Sequence, residues 1–513
     1  MKTPLALRYL LPSLGNVLWI SVFLAVIGMG PRMMNIDGDL GRHLTIGRYI
    51  LAQRQVPLGD LFSHTMTGQP LTPHEWLSQV AFALAERALG LDGVVLLSAL
   101  VIATAFWLVF RQSARVGGVL AAVLVTLLAM AASSLHWLTR PHLFTFLLLA
   151  LWIDALEALR CGRLKAWWRL PVLMLLWANL HGAFIAGFVT WALYGIGTAW
   201  EAFWRSSRPD VQPSDLQPAP GFWRVFLLGG AASLIITLVN PAGLELWRTS
   251  VGYIGTDYLV NHTAEYLSPD FHSASTWPFL IMIGLLVGVY GLGRRHIPAR
   301  QALLNAAWLV MALYSVRNVP LFAILAAPGL AGLISGWLAD HQPQARLLAA
   351  WNGLEGRLAA VENSLRGFVW PTVMVGLVAL AFSAGAALDA SGQGNRFDPK
   401  VFPVQAADWL AENPVAGQGF NYFPWGGYLL YRAWPERLVF IDGQTDFYGE
   451  ALTRQYEQVL TVSSGWQQVL AQYKVSWVLM PPDEALTQAL LADPAWQVVY
   501  RDATAVLLVN GPQ

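Results

Sequence analysis

What most constrains this chain is a series of long apolar runs almost free of charge, at roughly 10–30, 91–110, 117–135, 142–159, 168–181, 183–203, 223–239, 276–293, 301–316, 319–338 and 368–388. Inside a hydrocarbon layer every backbone N–H and C=O must be satisfied within its own segment, so runs of this kind fold as helices. The expected fold is therefore an α-helical polytopic membrane protein of about 11 transmembrane helices. Charged residues make up only 12% of the chain, where an ordinary globular protein has about a quarter. Its 24 tryptophans suit the two bilayer interfaces. The pair 168–203 is the least regular, because Asn179-Leu180-His181-Gly182 reads either as a tight turn or as a break in one hydrophobic stretch.

Basic residues are retained on the cytoplasmic side of a membrane. With the N-terminus in, the inner segments hold roughly twice as many Lys and Arg as the outer ones, and an odd number of spans places the C-terminus out. The first run follows Lys2 and Arg8 but ends in Gly30-Pro31-Arg32 without a small-x-small cleavage pattern, so it is expected to stay as the first span. Residues 1–390 form the expected transmembrane domain. Its long first outer loop, 32–90, carries two amphipathic helices, one around Leu44, Ile46, Ile50 and Leu51 and one from Trp76 to Leu89, both expected along the membrane surface. Residues 346–365 have the pattern of an interfacial helix on the inner side. A Ser/Gly-rich linker, Asp389 to Asn395, leads into 391–513, expected to be a soluble extracytoplasmic α/β domain. Its helices are predicted at Val404–Glu412, Leu452–Leu460 and Gly465–Tyr473, and its strands at 438–441, 475–480, 498–500 and 505–509.

Thirty-two basic against 31 acidic residues leave no basic excess, which speaks against a nucleic-acid partner. The single cysteine, Cys161, cannot form an internal disulfide. The unusual polar residues gather at the outer ends of the spans: Asp37-Gly38-Asp39, His43, His74-Glu75, Arg140-Pro141-His142, His181 and Arg317-Asn318. A membrane active site needs such a gathering, because reacting groups must be solvated while a lipid substrate stays in hydrocarbon. Helix capping accounts for one aspartate but not for two. Asp39 and His43, four apart, share a helix face and could form an ion pair or, with Asp37, hold a divalent metal such as Mg or Mn. Arg140 could snorkel to headgroups or clamp a phosphate with its planar fork. His181 could simply cap a turn, and Asp442 after Val439-Phe440-Ile441 reads as a turn residue outside the catalytic set.

A first span followed at once by an acidic-x-acidic motif, a helical first outer loop, about eleven spans and a C-terminal α/β domain resemble the C-type glycosyltransferase superfamily. The aminoarabinose and protein O-mannosyl transferases are the nearest named groups. The stretches DGDLGRHLTIGRYI, PHEWLSQVAFAL, RPHLFTFLL, NLHGAFIAG and WGGYLLYRAWPERLVFIDG look like bacterial members. The resemblance implies inverting transfer of a sugar from a polyprenyl-phosphate donor to a lipid, glycan or protein acceptor, at the outer face of a bacterial inner membrane. Asp37 matches the motif's first acidic position and is the implied base, with Asp39 as second choice or metal ligand. Arg140, His142, His181, Arg317, His74 and Glu75 are the candidate donor-phosphate and substrate-binding residues. Two other classes compete. A carrier would place ionisable residues at the midplane and show internal symmetry, which this sequence lacks. A binding or assembly protein could keep the same layout without the reaction.

Overall fold

The computed structural model describes residues 5–206, 217–252, 258, 263–292, 297–340 and 346–511. All eleven apolar runs are helical. Among the described residues seven helices are long and apolar enough to cross a membrane: Arg8–Gly28, Trp76–Gly117, Val119–His136, His142–Arg160, Gly182–Trp204, Ala274–Gly291 and Val316–Asp340. An eighth span arises if Ala349–Ser364 and Val369–Ser383, bent by 77° at their junction, are taken together. The other runs give helices of 12 to 16 residues, Arg169–Leu180, Phe222–Ile236 and Ala299–Tyr314. At 1.5 Å per residue these are shorter than the bilayer core is thick, which is why the span count falls below eleven.

The Trp76–Gly117 helix is the hub, packing on Leu14–Gly28, Asp39–Gln53, Val119–Ser133, His142–Arg160 and Val319–Asp340. Hydrophobic burial does not drive association between helices in lipid, so close approach through small residues matters more. Gly117 meets the Ala331 backbone, and Gly197 meets Arg300. The outward faces carry exposed Leu227, Ile235, Val239, Leu280, Val287 and Val310, as a lipid-facing belt requires. Trp76 to Leu89 does form a helix, but it runs on into the second span instead of lying apart from it. The break is at Leu89 and Gly90, where Gly90 takes φ 62° and ψ −152°, a conformation open mainly to glycine. The expected interfacial helix is Arg346–Ser364. Its Glu355 accepts the Val119 and Leu120 N–H groups, each at 2.7 Å, at the start of the Val119–Ser133 helix.

The 179–182 interruption is a true break. The helix ends at Leu180, His181 is extended (φ −162°, ψ 139°), and a single 3-10 turn, Gly182–Phe184, leads into Ile185–Ser206. In the C-terminal segment, β1 (Gln418–Asn421), β2 (Val475–Met480), β3 (Trp496–Arg501) and β4 (Val506–Asn510) form one sheet in the order β1-β2-β4-β3. β1 runs parallel to β2, and the other pairs are antiparallel, with Trp477 opposite Val509. The strand expected at 438–441 is not in this sheet. Its backbone goes to the first loop instead: Val439 N–H donates to Phe62 O at 3.1 Å and His64 N–H to Val439 O at 3.0 Å. The Gly426–Ala433 helix then packs along Asp39–Gln53. The C-terminal segment is thus joined to the first loop by both backbone pairing and helix packing.

Candidate active site

The Asp39–Gln53 helix begins on the second aspartate of the acidic pair. Asp37 Oδ1 accepts the Asp39 N–H at 3.0 Å, so Asp37 does serve the helix start, but its other oxygen is committed elsewhere. Arg140, in the turn before the His142–Arg160 helix, reaches Asp37 Oδ2 at 3.2 Å, Asp39 Oδ2 at 2.5 Å and Glu265 Oε2 at 3.4 Å. Glu265 also meets Arg317 Nη1 at 3.5 Å and His136 Nε2 at 3.8 Å. Arg317 lies over the Tyr266 ring at 4.4 Å. Two arginines and three carboxylates therefore form one chain of alternating sign.

This chain borders a cavity of about 320 Å³, into which Asp39, Arg140, Glu265 and Arg317 project. Asp37 is not among the residues that line it, but its side chain is 26% exposed and meets Arg140, which does. A second part of the cavity wall holds His43, His74, Glu75 and His181, together with Asp446 from the C-terminal segment. Glu75 lies 3.8 Å from His43 Nδ1, 3.8 Å from His74 Nε2 and 3.6 Å from His181 Nε2. His181 is delivered there by the break after Leu180, and its Nδ1 pairs with the Thr145 hydroxyl at 2.9 Å. The structure brings together Asp37, Asp39, Arg140, Arg317, His74, Glu75 and His181. It sets His142 aside: its Nε2–H donates to the His136 carbonyl at 2.8 Å, behind His181.

Burial pushes the Asp37 carboxyl up to about 6 even though Arg140 pulls it down. Burial raises Glu75 as well, against the pull of His74 and Arg140. At Glu265 burial is outweighed by Arg317 and Arg140, which hold it at about 2. Burial keeps His43 and His181 well below the usual imidazole range, so both are neutral near pH 7.

The donors expected to hold a metal do not converge. Asp37 and Asp39 both face the Arg140 guanidinium, and His43 turns to Glu75 and to Gln79, whose Nε2 is 3.4 Å from His43 Nδ1. Among the described residues no group of three or more His, Cys, Asp or Glu side chains is arranged to hold a metal ion.

Three residues escape a reading of the sequence. Glu265 stands in a single 3-10 turn, Ala264–Tyr266, with no motif around it, and Asp446 opens an ordinary amphipathic helix. Arg42 looks like a surface residue of an amphipathic helix, yet it is buried and pairs with buried Asp442 at 3.2 Å and with Gln444. Its one signal is its place on the same helix as Asp39, four residues before Ile46.

The fold, a bundle of apolar helices with a small C-terminal sheet, is similar to that of several solved polytopic proteins. Among solved structures the chain is similar to the oligosaccharyltransferase of Archaeoglobus fulgidus in its apo form, with a TM-score of 0.53, 11% identity, and 90% of this chain and 69% of that chain covered. It is also similar to AglB of the same organism in complex with an inhibitory peptide and a dolichol-phosphate, at TM-score 0.52 and 11% identity, covering 90% and 68% of the two chains. ArnT from Cupriavidus metallidurans matches nearly end to end, with a TM-score of 0.50, 16% identity, and 97% and 99% of the two chains covered. No family model and no curated protein sequence matches the chain, so the likeness is one of fold.

Proposed function

We propose that this chain is a membrane glycosyltransferase that moves a sugar from a polyprenyl-phosphate donor to a lipid, glycan or protein acceptor, with inversion, at the outer face of a bacterial inner membrane. The observation that carries this reading is the Asp37/Asp39–Arg140–Glu265–Arg317 chain at the edge of one cavity. A lipid phosphate leaving with a negative charge is stabilised by guanidinium groups already fixed in place. Carboxylates beside them supply a proton acceptor. In a single displacement the acceptor oxygen or nitrogen bonds to the anomeric carbon, the carbon–oxygen bond to phosphate breaks with its electron pair going to the phosphate, and the acceptor's proton passes to a carboxylate. We assign that role to Asp37, whose carboxyl at about 6 is matched to neutral pH. Arg140 and Arg317 hold the phosphate, and no step runs through a metal.

The test measures sugar transfer and lipid-phosphate binding on the purified chain. Asp37→Asn is expected to lower kcat about 100-fold or more with phosphate affinity kept. Asp39→Asn is expected to do less; the reverse order would move the base to Asp39, and full activity in both variants would sink the catalytic reading.

A further inference from the structure

The mechanism above uses one wall of the cavity and leaves the other unemployed. On that second wall, His43, His74 and His181 surround Glu75, and Asp446 closes the ring 4.0 Å from His74 Nδ1. None of these separations is a hydrogen bond, since all fall between 3.6 and 4.0 Å. Each sets a carboxylate oxygen beside an imidazole nitrogen without a direct bond between them, so a ligand hydroxyl lying against the pair has hydrogen-bonding partners of both kinds within reach. His43 turns its Nδ1 to Glu75, on a side chain only 4% exposed.

The charge pattern narrows the ligand. Among the described residues, Arg42, Arg140 and Arg317 all pair with carboxylates other than Glu75 and Asp446. Glu75 and Asp446 meet only imidazoles. Among the described residues no arginine comes within ion-pair distance of these two carboxylates, so an anionic group set against them would meet unneutralised charge. A ring carrying several hydroxyls, each both donor and acceptor, would satisfy carboxylates and neutral imidazoles together.

We propose that His43, His74, Glu75, His181 and Asp446 form the subsite for the donor's sugar ring, and that they select a ring with free hydroxyls and no acidic substituent. This rests on the transferase reading, which places the phosphate at Arg140 and Arg317, and the wall adjoins that position because Glu75 lies in the field of Arg140. Neutral imidazoles at His43 and His181 are consistent with it.

The test is equilibrium binding to the full chain in lipid nanodiscs, with three probes: farnesyl phosphate, glucosyl-phosphofarnesol and glucuronosyl-phosphofarnesol. The glucosyl probe is expected to bind about tenfold or more tighter than farnesyl phosphate, as one charge-assisted hydrogen bond supplies. The glucuronosyl probe should lose that gain. Glu75→Gln and His74→Gln should remove the gain and leave farnesyl phosphate binding unchanged, while Arg140→Gln should weaken all three probes. Equal loss for farnesyl phosphate and the glucosyl probe in Glu75→Gln would overturn the subsite, as would a glucuronosyl probe that binds as well as the glucosyl one. A fourth probe, aminohexosyl-phosphofarnesol, would overturn hydroxyl selection in favour of cation selection if it bound far tighter than the glucosyl one. If farnesyl phosphate binds with no dependence on Arg140, the transferase reading fails, and the subsite fails with it. If it binds through Arg140 and the sugar adds nothing, the subsite alone fails.

Discussion

Asp37 and Asp39 are two residues apart and share one arginine, yet they stand differently toward the cavity: Asp39 lines it, while Asp37 is partly exposed beside it and meets the lining at Arg140. Burial is the larger influence on Asp37 and raises it to about 6. A group that must be ionised to accept a proton gives activity that falls as pH drops through that value. The kcat/KM profile for transfer is therefore expected to rise with an apparent midpoint of about 6 and to level off above it. Asp37→Asn should remove this limb from whatever activity is left, and a limb that survives unchanged would assign it to another group. The same geometry bears on metal dependence. A guanidinium already sits between both carboxylates and engages one oxygen of each, so a divalent cation bridging them would have to displace it. Transfer after treatment with a chelator is expected to keep its rate, and a loss restored by Mg or Mn would show that Arg140 swings aside for a metal.

At the level of elements, the acidic pair is held by how closely two helices meet. A Cβ on Gly38 would stand 1.9 Å from Pro424 O, and one on Gly41 would stand 2.3 Å from Gly427 O. The Asp39–Gln53 helix thus lies directly against the backbone of Gly426–Ala433, and both partners are glycine-bearing at the contact. Gly41→Val is expected to force the helices apart at a cost of about 1–3 kcal/mol, read as a lower midpoint of thermal unfolding. Gly28→Val is the comparison, because nothing lies within 4 Å of its Cβ position; an equal drop in both would mean that the contact is not the cause. Here the sequence was only partly legible. The amphipathic period around Leu44 and Ile50 points to a helix, and that helix is present. Its partner was hidden, since the eight residues Gly426–Ala433 open with two glycines and lack the length that makes a period readable. The run Leu438–Ile441 misled for a related reason. Its apolar residues are buried as in a strand, but the hydrogen bonds come from Phe62 and His64, far away in sequence.

Across the whole molecule, the apolar runs were legible because lipid leaves a long uncharged segment no choice but helix, whereas how many cross depended on lengths of 12 to 16 residues that hydropathy alone reads generously. Arg140, Arg317 and the acidic pair could be picked out because charge at a span end is rare. Glu265 and Asp446 could not, since their importance comes from tertiary neighbours. The link that joins these levels is the Arg42–Asp442 pair. It ties the Asp39 helix to the loop that carries Gly443 through Asp446 into the cavity wall, and both side chains are almost fully buried. Removing one partner of a buried pair strands the other charge, at about 3–5 kcal/mol, while replacing both by apolar groups is often close to neutral. Arg42→Met is therefore expected to lower the thermal midpoint of the full chain strongly, Asp442→Leu to do likewise, and the double variant to recover much of the loss. Activity should follow a different order. The double variant restores burial but not the direction of the pair, so Asp446 loses its fixed place opposite His74, and binding of a sugar-bearing donor should stay weak where stability has returned. A double variant that regains both stability and donor affinity would show that the pair serves folding alone and that the loop finds its place in the cavity without it.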